Sequence, residues 1–115
     1  MAAFNLGVCY QHGTGVDKNE KEAVRYYKLA ADQGYANAQF NLGVCYANGT
    51  GVDKNEKEAV RLYKLAADQG FALAQSNLGI CYEKGIGGVL KDEKEAGRLY
   101  KLAADQGNSY AQNNL

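Results

Sequence analysis

Apolar residues recur along the chain with the spacing of amphipathic helices. Ala38, Leu42, Cys45 and Tyr46 follow the order i, i+4, i+7, i+8, which places them on one face of a helix. A second segment shows the same period in Ala59, Leu62, Tyr63 and Ala66. We therefore predict two consecutive helices in this stretch, helix A and helix B, each with one face that packs and one that meets water.

The boundaries of these helices are marked by residues with known capping preferences. Gly49 is suited to the left-handed conformation that ends helix A, and Gly70 has the same place after helix B. Asn55 and Glu58 have the spacing of a capping box, in which each side chain bonds the backbone N–H of the other residue. Helix B is therefore predicted to begin directly after Asn55.

The helix pair is one unit of a tandem repeat with a period of 36 residues. The segment 5–10 returns as 41–46 and, with one change, as 77–82. Between 5–34 and 41–70, 27 of 30 positions are identical. Two helices of about 12 residues each cannot bury their apolar faces alone, so the units must stack. The sequence predicts an all-α fold, an α-solenoid of antiparallel helix pairs.

We expect one repeat domain over 1–115, with repeats at approximately 1–35, 36–71 and 72–108 and the start of a fourth at 109–115. The chain begins inside a helix A and stops within another, which indicates a piece of a longer array. Apolar faces around Leu6, Tyr110 and Leu115 would then lack a covering helix. Such uncapped ends favour end-to-end self-association.

Glycine inside a helix costs about 1 kcal/mol relative to alanine. Gly43 and its counterparts Gly7 and Gly79 nevertheless recur within helix A. We therefore predict that another helix crosses closely at this position, where a side chain would not fit.

Charge and composition exclude several functional classes. Thirteen basic and thirteen acidic side chains leave no net charge, so a nucleic-acid partner is not expected. No apolar run approaches the ~20 residues of a membrane helix, and insertion into a membrane is not expected. The first residues lack the basic start and apolar stretch of a signal peptide.

Few side chains have the type and spacing that a catalytic or metal-binding site requires. Cys9, Cys45 and Cys81 are equivalent positions in successive repeats, and we expect them to be reduced core residues, consistent with a cytoplasmic environment. His12 is the only histidine, so no zinc site or His-based catalytic pair is predicted. We predict no cofactor, no metal and no enzymatic activity.

Helix A has a second apolar side. Phe40, Val44 and Ala47 lie opposite the packed face on a helical wheel. Either helix A of the neighbouring repeat covers this side, or it lines a groove that binds a peptide or partner helix, and both can hold in part. The candidate groove residues are Phe4, Asn5, Val8, His12, Phe40, Asn41, Val44, Asn48, Ser76, Asn77, Ile80 and Lys84.

The asparagines Asn5, Asn41 and Asn77 recur at the border between the core and this groove. An amide there offers a donor and an acceptor to the backbone of an extended peptide. Alternatively, each side chain bonds its own or an adjacent repeat and is structural.

The repeat resembles the Sel-1-like repeat, a relative of the tetratricopeptide repeat. The resemblance rests on positions that recur throughout the chain: Ala38, Leu42, Gly43, Tyr46, Gly49, Thr50, Gly51, Val52, Ala59, Tyr63, Ala66, Ala67 and Gly70. It implies a right-handed superhelix whose concave surface is built from helix A. It also implies a protein-protein interaction scaffold or adaptor with a protein or peptide partner.

A cysteine-rich branch of this family is associated with β-lactam binding or hydrolysis. Its bridging cysteines would fall at Ala31 with Gln39 and at Ala67 with Gln75, where this chain has none. A β-lactam-binding or hydrolysing enzyme is therefore an alternative with little support. A further alternative is an excised or consensus-like array with no ligand, because the first two repeats are nearly identical.

Overall fold

The computed structural model describes residues 2–106, which form six α-helices. They are α1 (Ala2–His12), α2 (Glu20–Asp32), α3 (Ala36–Asn48), α4 (Glu56–Asp68), α5 (Ala72–Lys84) and α6 (Glu93–Asp105). No strand occurs in this part of the chain. The predicted all-α fold is confirmed, with α1, α3 and α5 as the three A helices and α2, α4 and α6 as the three B helices.

Each helix packs against the next helix along the chain. Within a repeat, α1 contacts α2, α3 contacts α4 and α5 contacts α6. Between repeats, α2 contacts α3 and α4 contacts α5. The helix pairs therefore stack in chain order as a solenoid. The predicted start of a fourth repeat, with Tyr110 and Leu115, lies outside the described residues.

The predicted faces are the buried ones. On helix A of the second repeat, Ala38, Leu42 and Cys45 are buried and Tyr46 is half-buried. All four predicted positions of helix B are buried, namely Ala59, Leu62, Tyr63 and Ala66. Leu62 of α4 belongs to the apolar cluster formed mainly by α2 and α3. The core is therefore continuous from one repeat to the next.

The helix ends follow the predicted caps in part. The Asn55 side chain accepts a hydrogen bond from the Glu58 N–H at 3.1 Å, as predicted. The reciprocal half of the capping box is not formed, because the Asn55 N–H donates to the Tyr46 carbonyl at 2.8 Å. Glu58 instead accepts from Arg61 at 2.8 Å. Gly49 ends α3 in the predicted left-handed conformation, with φ of 70°.

Candidate functional site

The second apolar side of helix A is partly covered by neighbouring side chains. Phe40 is half-buried, and its ring centroid lies 5.9 Å from that of Tyr63 and 5.5 Å from that of Phe71. Val44 packs against the same apolar cluster. In the first repeat, Phe4 and Val8 pack in the same way against their cluster. These apolar candidates therefore contribute to packing between helices while keeping part of their surface exposed.

Ser76 is the candidate that the structure contradicts. Its side chain is 0% exposed, so it cannot line an open groove. Phe4 and Phe40 stand at the equivalent positions and extend to the surface, whereas the short serine side chain does not. Its hydroxyl has no hydrogen-bond partner among the described residues. The serine is therefore a buried polar group without compensation.

The recurring asparagines lie against the tyrosines of the preceding repeat. Burial raises the pKa of Tyr27, and a hydrogen-bonding interaction with the Asn41 side chain opposes that rise. Asn77 acts on the pKa of Tyr63 in the same way. Asn41 and Asn77 are both half-buried, whereas Asn5, which follows no repeat within the described residues, is exposed. This contact favours the structural interpretation of these asparagines.

The same tyrosine hydroxyls have a second partner that differs between repeats. In the first repeat, the Tyr27 hydroxyl donates to the Gln11 side chain. In the third, Tyr100 donates to Glu83 at 2.6 Å. The equivalent position of the second repeat is Ala47, which has no polar side-chain atom.

A cavity of about 330 Å³ lies beside Ala47, between the second and third repeats. It is open to solvent. Its lining residues are Ala47, Asn48, Glu56, Tyr63, Asn77, Ile80, Cys81 and Ile86. Only three of the twelve candidates are therefore brought together here: Asn48, Asn77 and Ile80. A smaller cavity of about 190 Å³ among α4, α5 and α6 contains none of the twelve.

Sequence reasoning missed the helix B and loop residues of this cavity. The apolar period places Tyr63 on the packed face of helix B, and Glu56 directly follows the predicted N-cap Asn55. The signal that could have identified them is the alanine at position 47, one of three differences between 5–34 and 41–70. Because the two repeats are otherwise nearly identical, the substitution at position 47 is easy to recognise by comparing them.

Among the described residues that line the cavity, the charged one is acidic. Glu56 is exposed at its rim, and none of the described residues that line it is a lysine, arginine or histidine. His12 and Lys84, the two candidates able to carry positive charge, are exposed elsewhere at the ends of α1 and α5. This arrangement disfavours an anionic ligand in the cavity.

At the position of the bridges in the cysteine-rich branch, the structure has hydrogen bonds. Gln39 donates to the Ala31 carbonyl at 3.4 Å, and Gln75 donates to the Ala67 carbonyl at 3.3 Å. The three cysteines are free, and Cys45 and Cys81 are buried. Burial raises the pKa of both thiols to about 11. Thiols held in the neutral form are poor nucleophiles and poor metal ligands.

Residues 2–106 contain neither a cluster suited to a metal ion nor a helix able to cross a membrane. Histidine, cysteine and acidic side chains form no cluster of three suited to a metal ion there. In the same part of the chain, none of the helices has the length and apolar character needed to cross a membrane.

The chain is similar to solved structures of repeat proteins. A Sel1 repeat protein from Oxalobacter formigenes is 44% identical, with a TM-score of 0.91 over 96% of this chain and 45% of that one. A protective antigen of uropathogenic Escherichia coli strains, which displays an SLR fold, is 41% identical, with a TM-score of 0.94 over 98% of this chain and 24% of that one. The chain thus spans less than half the length of either protein.

Helicobacter pylori cysteine rich protein B is 26% identical, with a TM-score of 0.83 over 99% of this chain and 87% of that one. Among curated proteins, none matches the chain. Proteins built from Sel1 repeats generally mediate protein-protein interactions. Residues 1–35, 36–71 and 72–108 each match the Sel1 repeat, and the chain therefore belongs to the Sel1 repeat family.

Proposed function

We propose that this chain is a non-enzymatic interaction module that binds an extended peptide or a partner helix along the exposed side of the A helices. The observation that carries the proposal is the open cavity between the second and third repeats, where Asn48, Asn77 and Ile80 meet. Apolar walls with a few polar groups are typical of surfaces that hold a ligand in one orientation.

The remaining candidates extend this surface along the solenoid. Phe4, Val8, Phe40 and Val44 are each half-buried and leave apolar area exposed between the polar side chains. His12 and Lys84 lie at its edge. Ser76 is excluded from the surface by its burial. The recurrence of these positions in successive repeats suits a ligand that is itself extended.

The non-enzymatic part of the proposal is supported by the thiols and the bridge positions. Cys45 and Cys81 are buried, and glutamines occupy positions where the cysteine-rich branch would have its bridges. We expect no colour change when the chain is incubated with a chromogenic β-lactam. Hydrolysis above the buffer rate would favour the enzymatic alternative instead.

A peptide selection tests the binding face. Random peptides displayed on phage are selected on the immobilised chain, and the affinity of the best one is measured by fluorescence anisotropy. Ile80→Ala should weaken binding at least about 5-fold, the equivalent of about 1 kcal/mol. Leu65→Ala is the matched control, because Leu65 is 41% exposed on helix B. Loss of binding in Leu65→Ala alone would assign the peptide to the B helices and overturn the proposal.

A further inference from the structure

The three repeats provide an internal comparison at one position of helix A. The side chain of Gln11 accepts a hydrogen bond from Tyr27, and that of Glu83 accepts one from Tyr100. Ala47 stands at the equivalent position in the second repeat. In two repeats, therefore, the protein fills the space beside the tyrosine hydroxyl with a carboxamide or carboxylate side chain. In the second it leaves that space open.

The backbone around this position is the same in all three repeats. The A helix crosses the tyrosine at a glycine in each case, and a Cβ built on Gly7, Gly43 or Gly79 would fall within 2.8 Å of the tyrosine ring. Tyr63 and Ala47 also line the same cavity, which puts the tyrosine beside position 47. A side chain supplied from outside could accept the hydrogen bond that Ala47 does not.

The cavity is large enough to admit a side chain from outside. Its volume of about 330 Å³ is at the low end of the range of roughly 300 to 1,000 Å³ that is typical of ligand pockets. Ala47, Ile80 and Ile86 supply apolar walls for the methylene groups of such a side chain. Its polar end would then meet the Tyr63 hydroxyl.

The polar groups discriminate between a carboxamide and a carboxylate. An amide oxygen can accept from Tyr63, while the amide N–H groups can donate to the Glu56 carboxylate or to the side-chain oxygens of Asn48 and Asn77. A carboxylate can accept from Tyr63, as Glu83 does from Tyr100, but it offers no donor to these oxygens. No cation among the lining residues would pair with it.

We propose that the cavity between the second and third repeats binds the side chain of a glutamine of the partner peptide, in the position that Gln11 occupies in the first repeat. The glutamine would then be the anchor residue of the bound peptide. This inference rests on the proposed function, since the glutamine belongs to the peptide that the A helices bind.

A small probe tests the cavity separately from the rest of the peptide. N-acetylglutamine methylamide is titrated into the 15N-labelled chain, and backbone amide shifts are followed by NMR. We expect saturable shifts at Ala47, Asn77 and Ile80. The glutamate and norvaline analogues should bind at least about 5-fold more weakly, because each lacks the amide donor. Equal affinity for all three probes, or no saturable shift with the glutamine probe, would overturn the proposal.

Two variants provide matched tests of the same position. Ala47→Gln should abolish the probe shifts, because the new side chain occupies the cavity as Gln11 does beside Tyr27. Gln11→Ala should create a second site, with new shifts at Asn41 and Val44. Unchanged probe binding by Ala47→Gln would place the probe elsewhere and contradict the proposal. Circular dichroism verifies that both variants remain helical.

The selected peptides separate this inference from the proposed function. If the peptides bind the A helices but replacing their glutamines by norvaline leaves affinity unchanged, the glutamine proposal fails and the proposed function stands. If the glutamine probe binds while no peptide does, the proposed function fails and the cavity assignment stands.

Discussion

Gly43 lies directly against the ring of Tyr63. A Cβ built on Gly43 would fall 2.8 Å from Cε1 of Tyr63 and 3.3 Å from the Ala59 carbonyl oxygen. The predicted close crossing of another helix is therefore confirmed at this position, and that helix is α4, a helix B. The tyrosine cannot move aside cheaply, because it is only 5% exposed and its ring also lies against that of Phe40.

Gly43→Ala should lower the free energy of unfolding by about 1 to 3 kcal/mol, although alanine is the better helix former. Gly97→Ala is the matched control, because no atom lies within 4 Å of a Cβ at that helical position. It should raise the free energy of unfolding by about 1 kcal/mol. Urea unfolding followed by circular dichroism measures both. Stabilisation by both substitutions would show that the crossing at Gly43 is loose.

Ser76→Ala should stabilise the chain by about 1 kcal/mol. The serine hydroxyl is buried without a hydrogen-bond partner in the described structure, and removing it relieves an uncompensated desolvation cost. Thermal unfolding monitored by circular dichroism shows whether the substitution stabilises or destabilises the chain. A lower melting temperature for the alanine variant would mean that the hydroxyl is satisfied in solution.

The packed faces followed from the sequence because they depend on helical period alone, and the close crossing followed because a glycine recurs inside helix A in every repeat. The burial of Ser76 did not, because a helical wheel places it on the side of Phe4 and Phe40 without regard to side-chain length. The cavity could not be predicted either, because its lining residues come from α3, α4, α5 and the loop after α5. Contacts between repeats depend on the stacking angle, which no local pattern specifies.

Alkaline pH should destabilise the fold. Burial raises the pKa of Cys45 and Cys81 from the ordinary value of 9.0 to about 11, so the folded state retains both protons longer than the unfolded state does. This stabilisation is complete below pH 9 and is lost as the pH rises toward 11. Tyr27 and Tyr63, whose pKa values are raised by burial, act in the same direction at higher pH.

Urea unfolding at several pH values between 8 and 11 measures this loss. The double variant Cys45→Ala, Cys81→Ala should show a shallower decline than the parent chain, while the tyrosine contribution remains. An identical decline in both proteins would mean that the thiols do not contribute to it.

Asn41→Ala should destabilise the fold by about 1 kcal/mol, since Asn41 interacts with the buried hydroxyl of Tyr27 in the preceding repeat. Asn5→Ala is the matched control, because the exposed Asn5 follows no described repeat. Equilibrium unfolding should leave that control within about 0.5 kcal/mol of the parent. An unchanged stability of Asn41→Ala together with weaker binding of a selected peptide would assign the asparagine to the ligand.

Gln39 of α3 is linked through its amide to α2 and to Gln69, the C-cap residue of α4. It accepts from Gln69 at 2.8 Å and donates to the Ala31 carbonyl of the preceding repeat at 3.4 Å. Gln39→Met keeps the side-chain length but removes both bonds, and we expect a loss of about 1 to 2 kcal/mol because the side chain is only 5% exposed. Gln69→Met should cost less, because Gln69 is exposed and Gln39 keeps its bond to the Ala31 carbonyl.

The part of the chain that Gln39→Met destabilises is as informative as the amount of stability lost. In a solenoid, stability is a sum of repeat and interface contributions, so weakening the contact between α2 and α3 should uncouple the first repeat from the others. Hydrogen exchange in Gln39→Met should therefore accelerate mainly in α1 and α2. Uniform acceleration across all six helices would show that the chain unfolds as one cooperative unit, in which the Gln39 bonds do not define a boundary.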